Sequence, residues 1–79
     1  MTTLHRNRKW KIQVFGREHG TPHFHVWTPE GAAVIALDGL RVLSGSVAAG
    51  ELAEAQQWAS DHMAVIAAEW NRLNPERQR

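Results

Sequence analysis

"HGTPHFHV" occupies residues 19–26, and the alternation in its second half decides the fold. In an extended chain successive side chains point to opposite faces, so Phe24 and Val26 share one face while His23, His25 and the following Trp27 share the other. The same period of two runs through "KWKIQVF", where Trp10, Ile12 and Val14 oppose Lys9, Lys11 and Gln13. Two half-buried strands are predicted, each with an apolar underside and a polar, aromatic upper side.

Working outward, "TPEG" at residues 28–31 places proline second and glycine fourth, which suits a type I turn between paired strands. "AAVIAL" then reads as a short apolar strand. Asp38-Gly39 is a two-residue hairpin signal, and "LRVLSG" reads as a further strand. From Ala48 to Leu73 the period changes: Leu52, Ala55, Ala59, Met63, Ile66, Trp70 and Leu73 step by three and four, as on one helix face. Asn74-Pro75 should stop that helix. The predicted fold class is α+β: a three- or four-stranded antiparallel meander over about residues 8–45, packed on one face by one long C-terminal helix over about 48–73. A loose tail is expected at 75–79, and the whole of residues 1–79 is expected to form a single domain.

The chain has 79 residues, no cysteine, and a formal net charge of +1. That composition excludes disulfide staples and thiolate metal sites. No apolar run is long enough to cross a bilayer, and "MTTLHRNRKWK" lacks the apolar stretch of a signal peptide, so a cytoplasmic chain is expected. Arg6, Arg8, Lys9 and Lys11 crowd a start without acids, while Glu51, Glu54, Asp61 and Glu69 populate the helix. The near-neutral total argues against both a generally nucleic-acid-coating surface and an acidic DNA mimic, and leaves room for a local basic patch.

A sheet with one helical layer leaves its second face to solvent or to a partner. The alternation puts Lys9, Lys11, Gln13, His23, His25, Trp27 and Arg41 on that face, as a basic, aromatic platform. A second stripe, Trp58, His62, Val65 and Glu69, runs beside the apolar helix seam at steps of four, three and four. Its plainest reading is a wide apolar face reaching the sheet edge; the sharper one is an exposed ridge for a target or a second subunit. The partner-binding candidates are Lys9, Lys11, His23, His25, Trp27, Arg41, Trp58 and His62. Imidazoles two apart on a strand lie side by side and can ligate zinc or a similar ion, so His19, His23, His25 and His62, with Glu18 nearby, are the metal candidates. No H-E-x-x-H pair, phosphate loop or nucleophile-base order accompanies them, and neither a resident metal nor a cofactor is expected.

"HGTPHFHVWTPEGAAVIALDG", followed by a helix with W-x-x-x-H and "AEWNRL", resembles the bacterial domain-of-unknown-function family four-one-six-zero over about Lys11 to Leu73. That family's signature is a histidine, two prolines, then H-F-H-V or H-V-H-V. His19, Pro22, His23, Phe24, His25 and Val26 match it, and Thr21 stands where the first proline would be. His62 falls where the family tends to have a helix histidine. The resemblance implies a fold and a mobile-element or defence setting, with toxin–antitoxin roles suspected for such proteins.

The expected function is a small non-catalytic binding module that blocks or regulates a protein or nucleoprotein target, as an anti-CRISPR-like inhibitor or a toxin–antitoxin component. One alternative is a histidine-based RNase toxin or metal-dependent enzyme, in which His23 or His25 moves protons beside Arg17 or Lys11. Another is a weak nucleic-acid-binding regulator acting through Arg6, Arg8, Lys9 and Lys11 beside Trp10 and Trp27. A homodimer that covers the open face or the helix ridge is allowed by the same architecture, and no membrane partner is expected.

Overall fold

A computed structural model describes residues 1–18 and 20–75. The strands are β1 (Thr2–Arg6), β2 (Lys11–Val14), β3 (His23–Thr28), β4 (Gly31–Ala36) and β5 (Val42–Gly45), followed by α1 (Ala49–Asp61) and α2 (Met63–Leu73). The five strands form one antiparallel sheet in sequence order. The α+β meander is therefore present, with one strand more than expected and with two helices in place of one.

The alternation governs the central pair. Ile12 sits opposite Val26 and Gln13 opposite His25, and Phe24 sits opposite Ile35. Ile12, Val14, Phe24, Val26 and Ile35 are fully buried, and with Ala55, Ala59, Ile66 and Trp70 they make the core between sheet and helices. The indole Nε1 of Trp70 has no hydrogen-bond partner among the described residues. Burying an unpaired N–H costs roughly 1–3 kcal/mol, and the large apolar ring offsets this through the area it removes from water.

The Thr28–Gly31 turn forms as predicted. The Thr28 hydroxyl accepts from the Gly31 amide and donates to the Gly31 carbonyl, both at 3.0 Å. The Asp38-Gly39 hairpin is longer than the two residues expected. Leu37 to Leu40 all belong to the turn, which is closed by the Ala36 amide donating to the Arg41 carbonyl at 2.9 Å. Gly39 takes a positive φ as a hairpin glycine should, but so does Leu40. Leu40 is held there because its side chain packs against the core and its carbonyl accepts from the Gln56 side-chain amide Nε2 at 2.8 Å.

The N-terminal strand was not expected. β1 pairs with β2, Thr2 opposite Val14 and Thr3 opposite Gln13, then slips so that His5 opposes Ile12. The slip lets Leu4 pack against the core while His5 meets the helix side. A bulge of this kind breaks the period of two.

The single long helix expected over 48–73 is two helices joined at His62, whose backbone leaves the helical region (φ −130°, ψ 28°). The cause is local. The His62 ring Nδ1 donates to the Trp58 carbonyl at 2.7 Å, and the His62 amide goes to the Ala59 carbonyl instead. The imidazole takes the acceptor that the next helical turn would use, so α1 ends and α2 restarts. None of the helices among the described residues is long and apolar enough to cross a membrane.

β1 is tied to α2 by one carboxylate. Glu69 accepts from the Thr2 hydroxyl and from the Arg72 guanidinium. The Arg72 hydrogen bond, followed by that of Thr2, holds the Glu69 carboxyl down to about 2 from its ordinary 4.5. The folded value lies below the unfolded one, so this stabilisation is complete above pH 4.5 and is lost as pH falls toward 2. Glu69→Gln is therefore expected to lower the urea midpoint near neutrality, with the gap to the parent chain closing on acidification through that window. A gap independent of pH would show that the carboxylate charge is not what holds β1.

Candidate functional site

The upper face of the sheet is not one platform. It divides into two ends along β3, and each end is built differently.

At the Trp27 end, the β1–β2 turn and the β3–β4 turn face each other across a groove of about 370 Å³ lined by Arg6, Arg8, Lys9, Lys11, Trp27 and Pro29, among others. Asn7 shapes its wall: the side-chain oxygen accepts from the backbone amides of Lys9 (2.8 Å) and Trp10 (2.9 Å), an Asx turn that throws the basic residues outward. Lys11 sits opposite Trp27 in register. Trp27 is 37% exposed, enough to offer a stacking surface. One acid enters this neighbourhood from α1. Glu54 accepts from Trp10 Nε1 at 3.0 Å and lies 3.6 Å from the Lys9 ammonium. The Trp10 hydrogen bond, helped by Lys9, holds its carboxyl below the usual range.

At the other end, the Glu18 carboxylate lies between two imidazoles. Its Oε1 is 3.1 Å from His23 Nε2 and 2.9 Å from His25 Nε2. The His25 hydrogen bond, followed by the contributions of His23, lowers the Glu18 pKa against the opposing effect of burial. Phe15 packs edge-on against His25 with ring centres 4.6 Å apart, and Trp27 lies parallel to the same ring at 6.2 Å. A single imidazole thus stands between the two ends of the face.

Several expected positions are corrected. His23 is only 9% exposed and its ring lies 4.8 Å from that of Trp70, so it is walled in at the end of the sheet rather than displayed. Gln13 is 6% exposed because the unexpected strand β1 covers it, with Thr3 Oγ1 accepting from its amide at 2.9 Å. Arg41 is exposed but follows the β4–β5 turn, at the His23 end and away from Lys9, Lys11 and Trp27. Trp58 and His62 are not a free ridge. His62 stacks on Trp58 (4.1 Å), and Trp58 stacks on His5 of β1 (5.1 Å), so the pair fastens the helices to the sheet edge. Of that stripe only Val65, half exposed, stays open. His62 is also remote in role from the other metal candidates, its Nδ1 being spent on the Trp58 carbonyl. His19 lies outside the described residues, as does the expected loose tail from residue 76.

Asn74 is the residue that sequence reasoning missed. Read only as a helix stop, it is 2% exposed and makes three side-chain hydrogen bonds. Its amide donates to the carbonyls of Phe15 (2.9 Å) and Trp70 (3.1 Å), and its oxygen accepts from the Glu18 amide at 3.0 Å. It thereby sets the backbone from which Glu18 reaches the imidazoles. The signal available was an Asn-Pro helix end followed by little else to bury it, which points to the turn and not to the contact.

Comparison with known proteins adds one result. No curated protein and no solved structure matches the chain. The family model described as Domain of unknown function (DUF4160) matches residues 10–71, well over half of the chain and all of β2 to β5 and α1. The chain therefore belongs to the DUF4160 family.

Proposed function

We propose that the chain is a non-catalytic binding module, and that the Trp27 groove receives a phosphate-bearing strand, free or held in a nucleoprotein target. The observation that carries this reading is the convergence of Arg6, Arg8, Lys9 and Lys11 on one groove floored by an accessible indole. Cations that track phosphates, with an aromatic face on which bases stack, are what sequence-tolerant single-strand binding uses. The cations are concentrated on the β1–β2 turn, so a chain of net charge +1 can still bind a polyanion locally. A module of this kind acts by occupancy, which suits an inhibitor and also the toxin–antitoxin role that the family resemblance implies.

The test is fluorescence anisotropy with a labelled single-stranded RNA oligonucleotide across a salt series. Four cations contacting phosphates should give a slope of log K against log salt of about −3. Trp27→Ala should weaken binding by about tenfold or more, through the roughly 1–3 kcal/mol that a stacked base contributes. Lys11→Ala should reduce the slope by about 0.7. Absence of any complex at low salt, or equal affinity in Trp27→Ala and the parent chain, would reject the groove as the site.

A further inference from the structure

The cluster of Glu18, His23 and His25 has a chemistry that the binding groove does not use. His23 Nδ1 lies 2.8 Å from the Thr21 carbonyl. A carbonyl only accepts, so Nδ1 must carry a hydrogen and donate it. In neutral His23 the remaining nitrogen, Nε2, then presents a lone pair, and it presents that lone pair to a carboxylate oxygen at 3.1 Å. Two acceptors do not approach so closely unless a positive centre lies between them. The same oxygen is also 2.9 Å from His25 Nε2, so three donor atoms converge within 4.8 Å of one another. That positive centre is either a proton shared in an ion pair or a metal ion.

Three features favour a metal. A ligating histidine characteristically donates its second ring N–H to a backbone carbonyl or a carboxylate, which fixes its tautomer and its aim; the Thr21 carbonyl does this for His23. Both rings are clamped, His23 against Trp70 and His25 against Phe15 and Trp27, so little side-chain freedom remains to be lost on binding. The Glu18 amide is held by Asn74, which places the carboxylate before any ion arrives. The cluster is also reachable, since the side chains of Glu18 and His25 are partly open to solvent.

We propose that Glu18, His23 and His25 form a binding site for a divalent transition-metal ion, Zn²⁺ in the first instance. Two imidazoles and one carboxylate suit Zn²⁺ and its neighbours, whereas Mg²⁺ and Ca²⁺ require mostly oxygen ligands. Ligands at about 2.0–2.1 Å from a tetrahedral Zn²⁺ lie roughly 3.3 Å apart. The Glu18 oxygen already lies 3.1 and 2.9 Å from the two nitrogens, and all three atoms are within 4.8 Å of one another, so small side-chain adjustments bring them to that spacing. The ion would tie the β2–β3 connection, through Glu18, to the first residues of β3. This site is independent of the Trp27 groove, and neither depends on the other being right.

The test uses the chain without an affinity tag. Isothermal titration with Zn²⁺ should show uptake of one ion per chain, and the melting temperature should rise with it. Nitrogen-15 spectra of the imidazoles should show the Nε2 resonances of His23 and His25 moving on Zn²⁺ addition while those of His62 stay in place. Glu18→Gln and His25→Asn, each checked for folding by circular dichroism, should weaken uptake by at least about tenfold, and His62→Gln should leave it unchanged. Mg²⁺ should give no heat. Absence of Zn²⁺ uptake would overturn the site. So would resonances moving at His62 instead, Mg²⁺ binding as well as Zn²⁺, or full uptake in both ligand variants; the imidazole spectra of the parent chain decide the matter even if a variant fails to fold.

Discussion

Asn74→Ala is expected to cost about 3 kcal/mol of stability. The substitution strips partners from the Phe15 carbonyl and the Glu18 amide, and removes one of two donors from the Trp70 carbonyl, which keeps the Asn74 backbone amide at 2.8 Å. Each lost hydrogen bond of a part-buried polar group costs roughly 1–3 kcal/mol, and water entering the vacated space recovers part of that. A domain of this size has a total stability of roughly 4–12 kcal/mol, so the loss is a large fraction of it and should appear as a fall in melting temperature of roughly 10–20 °C. Asn74→Asp should be no better. It keeps an acceptor for the Glu18 amide but turns its other carboxylate oxygen toward the two carbonyls of Phe15 and Trp70. Urea unfolding of the three chains provides the check; a cost below about 1 kcal/mol for Asn74→Ala would mean that the loop is held elsewhere. The same substitution should loosen Glu18 and so weaken Zn²⁺ uptake, in a residue that touches no proposed ligand atom.

Gly45→Ala is expected to be comparably severe, by a different route. Gly45 has φ +80°, and a methyl group there would lie 2.2 Å from the Ala32 carbonyl oxygen and 2.9 Å from Ala33 Cα. The backbone conformation alone costs an L-residue roughly 1–2 kcal/mol. The contact cannot be relieved by turning a side chain, because both neighbours are backbone atoms of β4. The total is limited by what it takes to release β5, which is exposed along its whole length at the sheet edge. Local detachment is therefore expected to win over global collapse. Hydrogen exchange should show Ser44 and Ser46 losing protection while Ile12, Val26 and Ile66 retain theirs. Unchanged protection at Ser46, whose amide donates to that same Ala32 carbonyl, would contradict the clash.

How far the fold was legible depends on where the apolar residues sit. "KWKIQVF" and "HFHVW" declared their faces because one side of each strand is core, and the burial of Ile12, Val14, Phe24 and Val26 follows from that alternation. β1 was illegible for the same reason inverted: Thr2, Thr3 and Arg6 bury little, and the bulge before His5 destroys the period. The helix break was hidden because periodicity reports which face is apolar and not where a carbonyl is captured by a ring nitrogen, as His62 captures that of Trp58. At the site, sequence placed His23 and His25 side by side, and they are, with ring centres 5.5 Å apart. It could not foresee that Trp70 would wall in His23, or that the sheet's end would separate the imidazoles from the basic turn, because both depend on where the returning helix crosses the strands. Arg41 lies away from the basic turn because the β4–β5 turn spans four residues, Leu37 to Leu40, and not the two that Asp38-Gly39 signals.

The sheet order has a kinetic consequence. Each strand pairs only with its neighbours along the chain, so most pairings close short loops and the contact order of the sheet is low for a β-rich structure. Loop-closure entropy is then met in small instalments as hairpin is added to hairpin. The distant event is the arrival of α2 over β2, which brings Trp70 and Ile66 onto the strands, and this docking step is expected to set the folding rate. Substitutions at Trp70 should accordingly slow refolding more than those at the Thr28–Gly31 turn.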